Sequence, residues 1–450
     1  MSHDSVLYSK NVVLPEGVKP ATIFIKDGRI SSIERNTRSE VGELTVIDYG
    51  DTYIMPGLID CHVHINEPGR TTWEGFETAT QAAAAGGITT LVDMPLNSSP
   101  VTVTTQSFQE KLHAAQGKLS VNCGFWGGIV PGYSEEVLPL IKAGVMGFKT
   151  FLCHSGIDDF PDTSLKELEL SLPVLADHGL PLLVHAEMET KHNGQLELEK
   201  NANSYMAWLH SRPASWENEA IRSLIALCRK YKVRIHIVHL SSAAALDMIR
   251  SAKSEGLPLT VETCPHYLFF AAEEIPDKDT RYKCAPPIRE RENNRLLWEA
   301  VKDQTIDFIV SDHSPAPPQL KELESGDLKR AWGGIASLQF TLPAICTVAL
   351  KDHQPAGLLA EWMSTRVADF LGLRSKGRIE AGNDADLVIW NPNERMKVDS
   401  SMIRFRHKVT PYEGALLNGV IEETWVGGDK IYKRNEIDIQ RKGRIILSNK

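Results

Sequence analysis

An α/β fold, a (β/α)8 TIM barrel with a small β-sandwich domain built from both chain termini, is what this 450-residue sequence predicts. Three observations predict it. Short apolar runs suited to buried parallel strands recur eight times, separated by longer segments of helical spacing. Both chain ends instead carry alternating runs joined by hairpin signals. Residues able to ligate or titrate stand at the C-terminal ends of the central runs, the face on which barrels collect their catalytic groups.

The terminal domain is predicted over 1–53 and 378–450. Thr22-Ile23-Phe24-Ile25 and Arg29-Ile30-Ser31-Ser32-Ile33 flank the turn Asp27-Gly28, and Asp386-Leu387-Val388-Ile389-Trp390 precedes a second hairpin around Gly427-Gly428. The barrel is predicted over 54–377, with strands at 54–60, 89–93, 121–125, 145–149, 181–185, 235–239, 259–262 and 306–311. Helices are expected at 72–85, 105–116, 165–178, 216–231, 241–255 and 291–302. A doubly wound open sheet is the alternative for such repeats.

Composition excludes several classes. A hydrophobic fraction of 42%, a charged fraction of 24% and a mean hydropathy of -0.21 describe an ordinary globular protein. The net charge of -9 argues against a nucleic-acid partner, which needs clustered Lys and Arg. The start MSHDSVLYSK lacks a signal-peptide pattern and no stretch is apolar for a bilayer's width, so no membrane partner and a cytoplasmic location are expected. Seven cysteines without CxxC pairs fit a reduced compartment. Asn97-Ser98-Ser99 matches a glycosylation sequon, which without a secretion signal reads as chance.

The chemistry begins at Asp60-Cys61-His62-Val63-His64. On an extended chain alternate side chains share a face, so His62 and His64 can chelate one cation. Lys149, His185, His239 and Asp312 stand at other strand ends, and imidazoles with carboxylate suit borderline divalent metals. An ammonium of ordinary pKa, roughly 10.4, cannot ligate a cation. Lys149 therefore needs carbamylation by CO2 to serve as a ligand; a lysine paired to an acid is the other reading, and residue chemistry leaves both open.

In order, Met55-Pro56-Gly57-Leu58-Ile59-Asp60-Cys61-His62-Val63-His64, Gly147-Phe148-Lys149, His185-Ala186-Glu187, His239 and Ser311-Asp312-His313-Ser314 resemble the cyclic amidohydrolases, most closely the allantoinases. Gly382-Asn383-Asp384-Ala385-Asp386-Leu387-Val388 resembles their β domain, so the likeness spans nearly the whole chain. It implies two divalent metal ions, zinc first, with Co, Mn or Fe as alternatives. His62, His64 and Asp312 would hold one metal, His185 and His239 the other, and carbamylated Lys149 would bridge them. The bridging hydroxide would attack the ring amide, with Asp312 moving the proton to the departing nitrogen. A homotetramer is also implied.

Substrate choice turns on loops. Dihydroorotases place an Arg two residues after the second metal histidine, where this chain has Asn66, which offers no ionic fork for a carboxylate. Dihydropyrimidinases carry a tyrosine shortly after the bridging lysine, absent from Lys149-Thr150-Phe151-Leu152-Cys153-His154-Ser155-Gly156. That run, Lys283-Cys284-Ala285-Pro286-Pro287-Ile288-Arg289 and Ala331-Trp332-Gly333-Gly334-Ile335 resemble the allantoinases, implying allantoin, a neutral ureido-bearing hydantoin, as substrate. Asn66, Asn97, Cys284, Ser314 and Trp332 are the candidate substrate contacts, with His154 and His266 near the same rim. Dihydropyrimidinase or hydantoinase activity is the runner-up. A non-catalytic scaffold of this fold would lack several of the six ligand positions, all filled here.

Overall fold

The computed structural model describes residues 4–36, 45–190, 192–436 and 439–449. Eight parallel strands follow in chain order: Leu58–Val63, Ile88–Asp93, Asn122–Phe125, Phe148–Phe151, Leu182–His185, Ile235–Ile237, Leu259–Thr263 and Phe308–Ile309. They form two arcs rather than the unbroken ring expected. The first three pair with one another, and the last five pair in order with the short strand Gly127–Gly128 at their edge. The arcs touch where Met146 N donates to Phe125 O at 2.9 Å and where His64 N donates to His313 O at 2.8 Å. Beside the first junction the C-terminal segment inserts: Cys123 N donates to Arg444 O and Ile446 N to Cys123 O, each at 2.9 Å.

The predicted strand at 54–60 is two strands. Tyr53–Pro56 pairs antiparallel with Leu387–Lys397 in the terminal sheet, and Leu58–Val63 starts the parallel set. Gly57 sits between them because a Cβ there would lie 2.3 Å from the Thr89 side chain. The terminal strands pair as one eight-stranded sheet, in the order Asp429–Lys433, Leu416–Val426, Leu387–Lys397, Tyr53–Pro56, Ser5–Leu14, Gly17–Lys26 and Arg29–Arg35, with Val46–Asp48 alongside Ser5–Leu14. Pairing thus gives a single sheet where a sandwich was expected. The hairpin at Asp27-Gly28 is present, both residues left-handed at φ 52° and 76°.

Several helices begin and end on local signals. Leu165–His178 and Arg291–Lys302 span the predicted residues; the first has the Ser164/Glu167 capping box and stops at left-handed Gly179. Helix Phe76–Ala85 starts four residues later than expected, because Gly75 at φ 148° interrupts the apolar pattern. Helices Val137–Ala143, Gly194–Lys200, Tyr205–Ser211 and Thr341–Lys351 were not expected from periodicity. No described helix is long and apolar enough to cross a membrane.

Candidate active site

The six expected ligand residues meet in one cavity of about 370 Å3 at the C-terminal ends of the parallel strands. His62 and His64 lie at the end of Leu58–Val63, two residues apart, with ring centroids at 5.6 Å. His62 Nε2 is 3.2 Å and His64 Nε2 is 3.6 Å from Asp312 Oδ1, the three groups being close enough to share an ion. Asp312 and His239 both follow their strands in left-handed conformation, φ 45° and 39°, and backbone strain of this kind collects at functional sites. Lys149 is the second residue of Phe148–Phe151 rather than the last of its strand, and its register puts it level with Leu183. The His185 and His239 rings meet edge-on at 4.6 Å, and His239 lies 5.4 Å from His62.

Three of the four rings, those of His62, His64 and His185, are oriented by a partner. His64 Nδ1 donates to Leu96 O at 3.0 Å, and His185 Nε2 donates to Glu187 Oε2 at 2.7 Å, leaving His64 Nε2 and His185 Nδ1 without those partners. Glu187 also receives both Arg212 Nε, at 3.1 Å, and an Arg212 terminal nitrogen. Burial pushes Glu187 up, but Arg212 and His185 prevail and hold it at about 2. His62 Nδ1 makes a short contact with Glu262 Oε1, and His236 Nε2 lies 2.9 Å from Oε2. Here too burial is overcome: His62 and His236 keep the Glu262 carboxylate well below its usual range.

Lys149 Nζ is fully buried with no hydrogen-bond partner, 4.9 Å over the Phe151 ring. Burial pushes the ammonium down to about 8, His185 down to about 4, and His64 and His239 well below the usual histidine range. The lowered pKa makes the Lys149 amine easier to deprotonate, and the free amine can take up CO2 to give a carboxylate able to bind cations. His239 Nδ1, likewise buried without a partner, completes a donor set of four imidazoles, one carboxylate and one modifiable amine that fits two borderline divalent ions.

The expected substrate contacts divide. Asn97, Ser314 and Trp332 line the cavity. Ser314 Oγ donates to Asp312 Oδ1 at 3.0 Å, and Trp332 stands edge-on to Trp73 at 4.8 Å. Asn66 does not line it: its Nδ2 donates to Pro315 O and its Oδ1 accepts from Asn97 Nδ2, each at 3.3 Å, so it supports Asn97 from behind. Cys284 is buried outside the lining too, because strand-like alternation presents its neighbours Lys283 and Ala285 instead. His154 lines the mouth, whereas His266 is buried behind the lining, against Tyr267 at 4.2 Å and with a ring nitrogen within 4.8 Å of the Asp312 carboxylate. Asn97 and Ser98 are both buried, so the sequon is no acceptor. Sequence reasoning missed Glu262, Arg212 and Trp208. Glu262, at a predicted strand end like the histidines, carried the signal that could have found it.

The Amidohydrolase family matches residues 53–431. An allantoinase of Streptomyces avermitilis is 45% identical over 98% of this chain and 98% of its own length. One from Arabidopsis thaliana is 44% identical over 96% and 89%, and one from Saccharomyces cerevisiae 41% over 95% and 95%. Among solved structures, the L-hydantoinase (dihydropyrimidinase) of Arthrobacter aurescens superposes with a TM-score of 0.92 at 32% identity, covering 99% of this chain and 100% of that one.

Proposed function

We propose that this chain, which belongs to the amidohydrolase family, hydrolyses the hydantoin-ring amide of allantoin to allantoate. The observation that carries this is near-full-length likeness to allantoinases from a bacterium, a plant and a yeast, closer in identity than to the hydantoinase that shares the fold. The fold reading that accompanies it is a (β/α)8 barrel over 54–377, supported by the hydantoinase likeness, with 1–53 and 378–450 as its β domain. Residues 54–56 nonetheless pair with the terminal sheet.

His62, His64 and Asp312 would hold one divalent cation, zinc by preference, and His185 and His239 a second. The Lys149 amine attacks CO2 and loses a proton, and the resulting carbamate would offer two oxygens as ligands to the pair. When bound, the cations make water nucleophilic near neutral pH and polarise the ring carbonyl. Asp312 takes the proton of the attacking water and delivers it to the ring nitrogen as the C–N bond breaks, so water adds as hydroxyl to carbon and hydrogen to nitrogen. Ser314, donating to Asp312 Oδ1, steers that carboxylate. Asn97, with Asn66 behind it, hydrogen-bonds a neutral ring, and Trp332 forms a wall of the same cavity.

The runner-up, opening of dihydropyrimidines or simple hydantoins, has structural likeness in its favour, but no tyrosine follows Lys149 as far as Gly156. We further place the protein in the cytoplasm, where seven buried thiols remain reduced, as a homotetramer. The deciding experiment is kcat/KM for allantoin, dihydrouracil and dihydroorotate on metal-loaded protein. Allantoin is expected to lead; preference for either of the others overturns the assignment while leaving the metal chemistry intact.

A further inference from the structure

Two lysines beside the cavity take no part in this chemistry, and both are buried. Lys321 Nζ donates to three carbonyls: Lys283 O at 3.2 Å, Trp332 O at 3.0 Å and Gly334 O at 2.9 Å. An ammonium has three donors, so this one is saturated. Lys283 Nζ in turn donates to Lys329 O at 3.2 Å and, in a short contact, to Ala331 O, and lies 4.4 Å over the Trp208 ring. Backbone bonds run in parallel, Trp332 N to Leu320 O at 2.7 Å and Gly334 N to Lys283 O at 3.0 Å. Segment 329–334 is therefore fastened along its length to the loop after the seventh strand and to the Leu320-Lys321 turn.

Among the described residues neither lysine has a carboxylate within ion-pair distance. Burial, aided at Lys283 by the charge of Arg212 and at Lys321 by that of Lys283, pushes both ammoniums down to about 7 against the opposing pull of Asp327 and Asp279. A buried cation without a close carboxylate is expensive, and the hydrogen bonds that hold these two all go to carbonyls, with the Trp208 ring beneath Lys283. What the cage fixes in place is the cavity wall: Trp332 lines the cavity, backs on Trp73 at 4.8 Å, and stands so near Gly156 that a Cβ there would meet its ring at 3.5 Å.

We propose that Lys321 and Lys283 are positioning residues that clamp segment 329–334 over the cavity, so that Trp332 forms a fixed wall against the ring's substituent and discriminates substituted from bare rings. The inference rests on the allantoin reading for its substrate, though not for the clamp itself.

The test compares Lys321→Met, Lys321→Arg, Lys283→Met, Trp332→Ala and the double variant Lys321→Met/Trp332→Ala. Kinetics on allantoin and on unsubstituted hydantoin are read together with amide hydrogen exchange across 329–334. Lys321→Met should raise KM for allantoin about tenfold or more with kcat within about threefold, as expected for lost positioning of a non-reacting group. Exchange at the Trp332 and Gly334 amides should rise by at least about tenfold in the same variant, from local opening. Lys321→Arg should recover part of both effects. The double variant should be no worse on allantoin than Trp332→Ala alone, because the lysine acts through the tryptophan. Unchanged exchange in folded Lys321→Met overturns the clamp; so do losses that add in the double variant, or an equal KM rise for hydantoin and allantoin. If Lys321→Met does not fold, Lys283→Met faces the same criteria. Failure of the wild type to open allantoin would sink the substrate reading, and exchange would still decide the clamp.

Discussion

Glu262 gathers three strands of the site, and its replacement is where the structure makes its most quantitative demand. Oε1 accepts from His62 Nδ1 and from His239 N at 3.3 Å, and Oε2 lies 2.9 Å from His236 Nε2. Glu262→Leu strands these three fully buried donors. At about 1–3 kcal/mol for each unsatisfied group, the loss is about 3–9 kcal/mol, comparable with the roughly 5–15 kcal/mol that holds a native protein together. Glu262→Gln is milder. Its amide oxygen can keep His62 and His239 N, while His236 can change tautomer, because its Nδ1 lies 2.8 Å from the Thr260 hydroxyl, which can donate as readily as accept. The amide nevertheless removes the charge that fixes and strengthens His62 as a ligand, a change that costs about 10–100-fold in metal affinity. Denaturant unfolding of both variants and metal content after dialysis against a metal buffer measure the two effects. Wild-type metal affinity in Glu262→Gln, or wild-type stability in Glu262→Leu, would refute this account of the carboxylate.

Removal of metal by a chelator should abolish ring opening and addition of divalent cations should restore it; full turnover by verified metal-free protein would end the binuclear proposal. Lys149→Ala should lose at least about 1,000-fold in kcat, on the scale of deleting a group on which transition-state charge stabilisation depends, and acetate or propionate should recover part of it by supplying the missing carboxylate. Mass spectrometry of active, metal-loaded protein should find Lys149 heavier by one CO2, and an unmodified amine there would eliminate the carbamate.

The parts of the site legible in the sequence are those whose chemistry is local. His62 and His64 share a face because strand side chains alternate, a property of neighbours that any register preserves. Lys149, His185, His239 and Asp312 were visible because ionisable groups beside apolar runs are costly without a purpose, and the structure brings all of them into one cavity. Helix limits such as Ser164 and Gly179 were likewise written in capping residues. Tertiary structure alone decided where side chains far apart in sequence would meet. Glu262 reaches His62 across 200 residues, Asn66 stands behind Asn97 instead of in the cavity, and Cys284 yields the lining to Lys283 and Ala285. The same holds for the break at Gly57, which separates two sheets, and for the C-terminal segment beside the junction of the two arcs. These features depend on strand register, on the curvature of the parallel sheets and on which backbone groups are left to be paired. They are properties of the assembled packing, and no window of consecutive residues contains them.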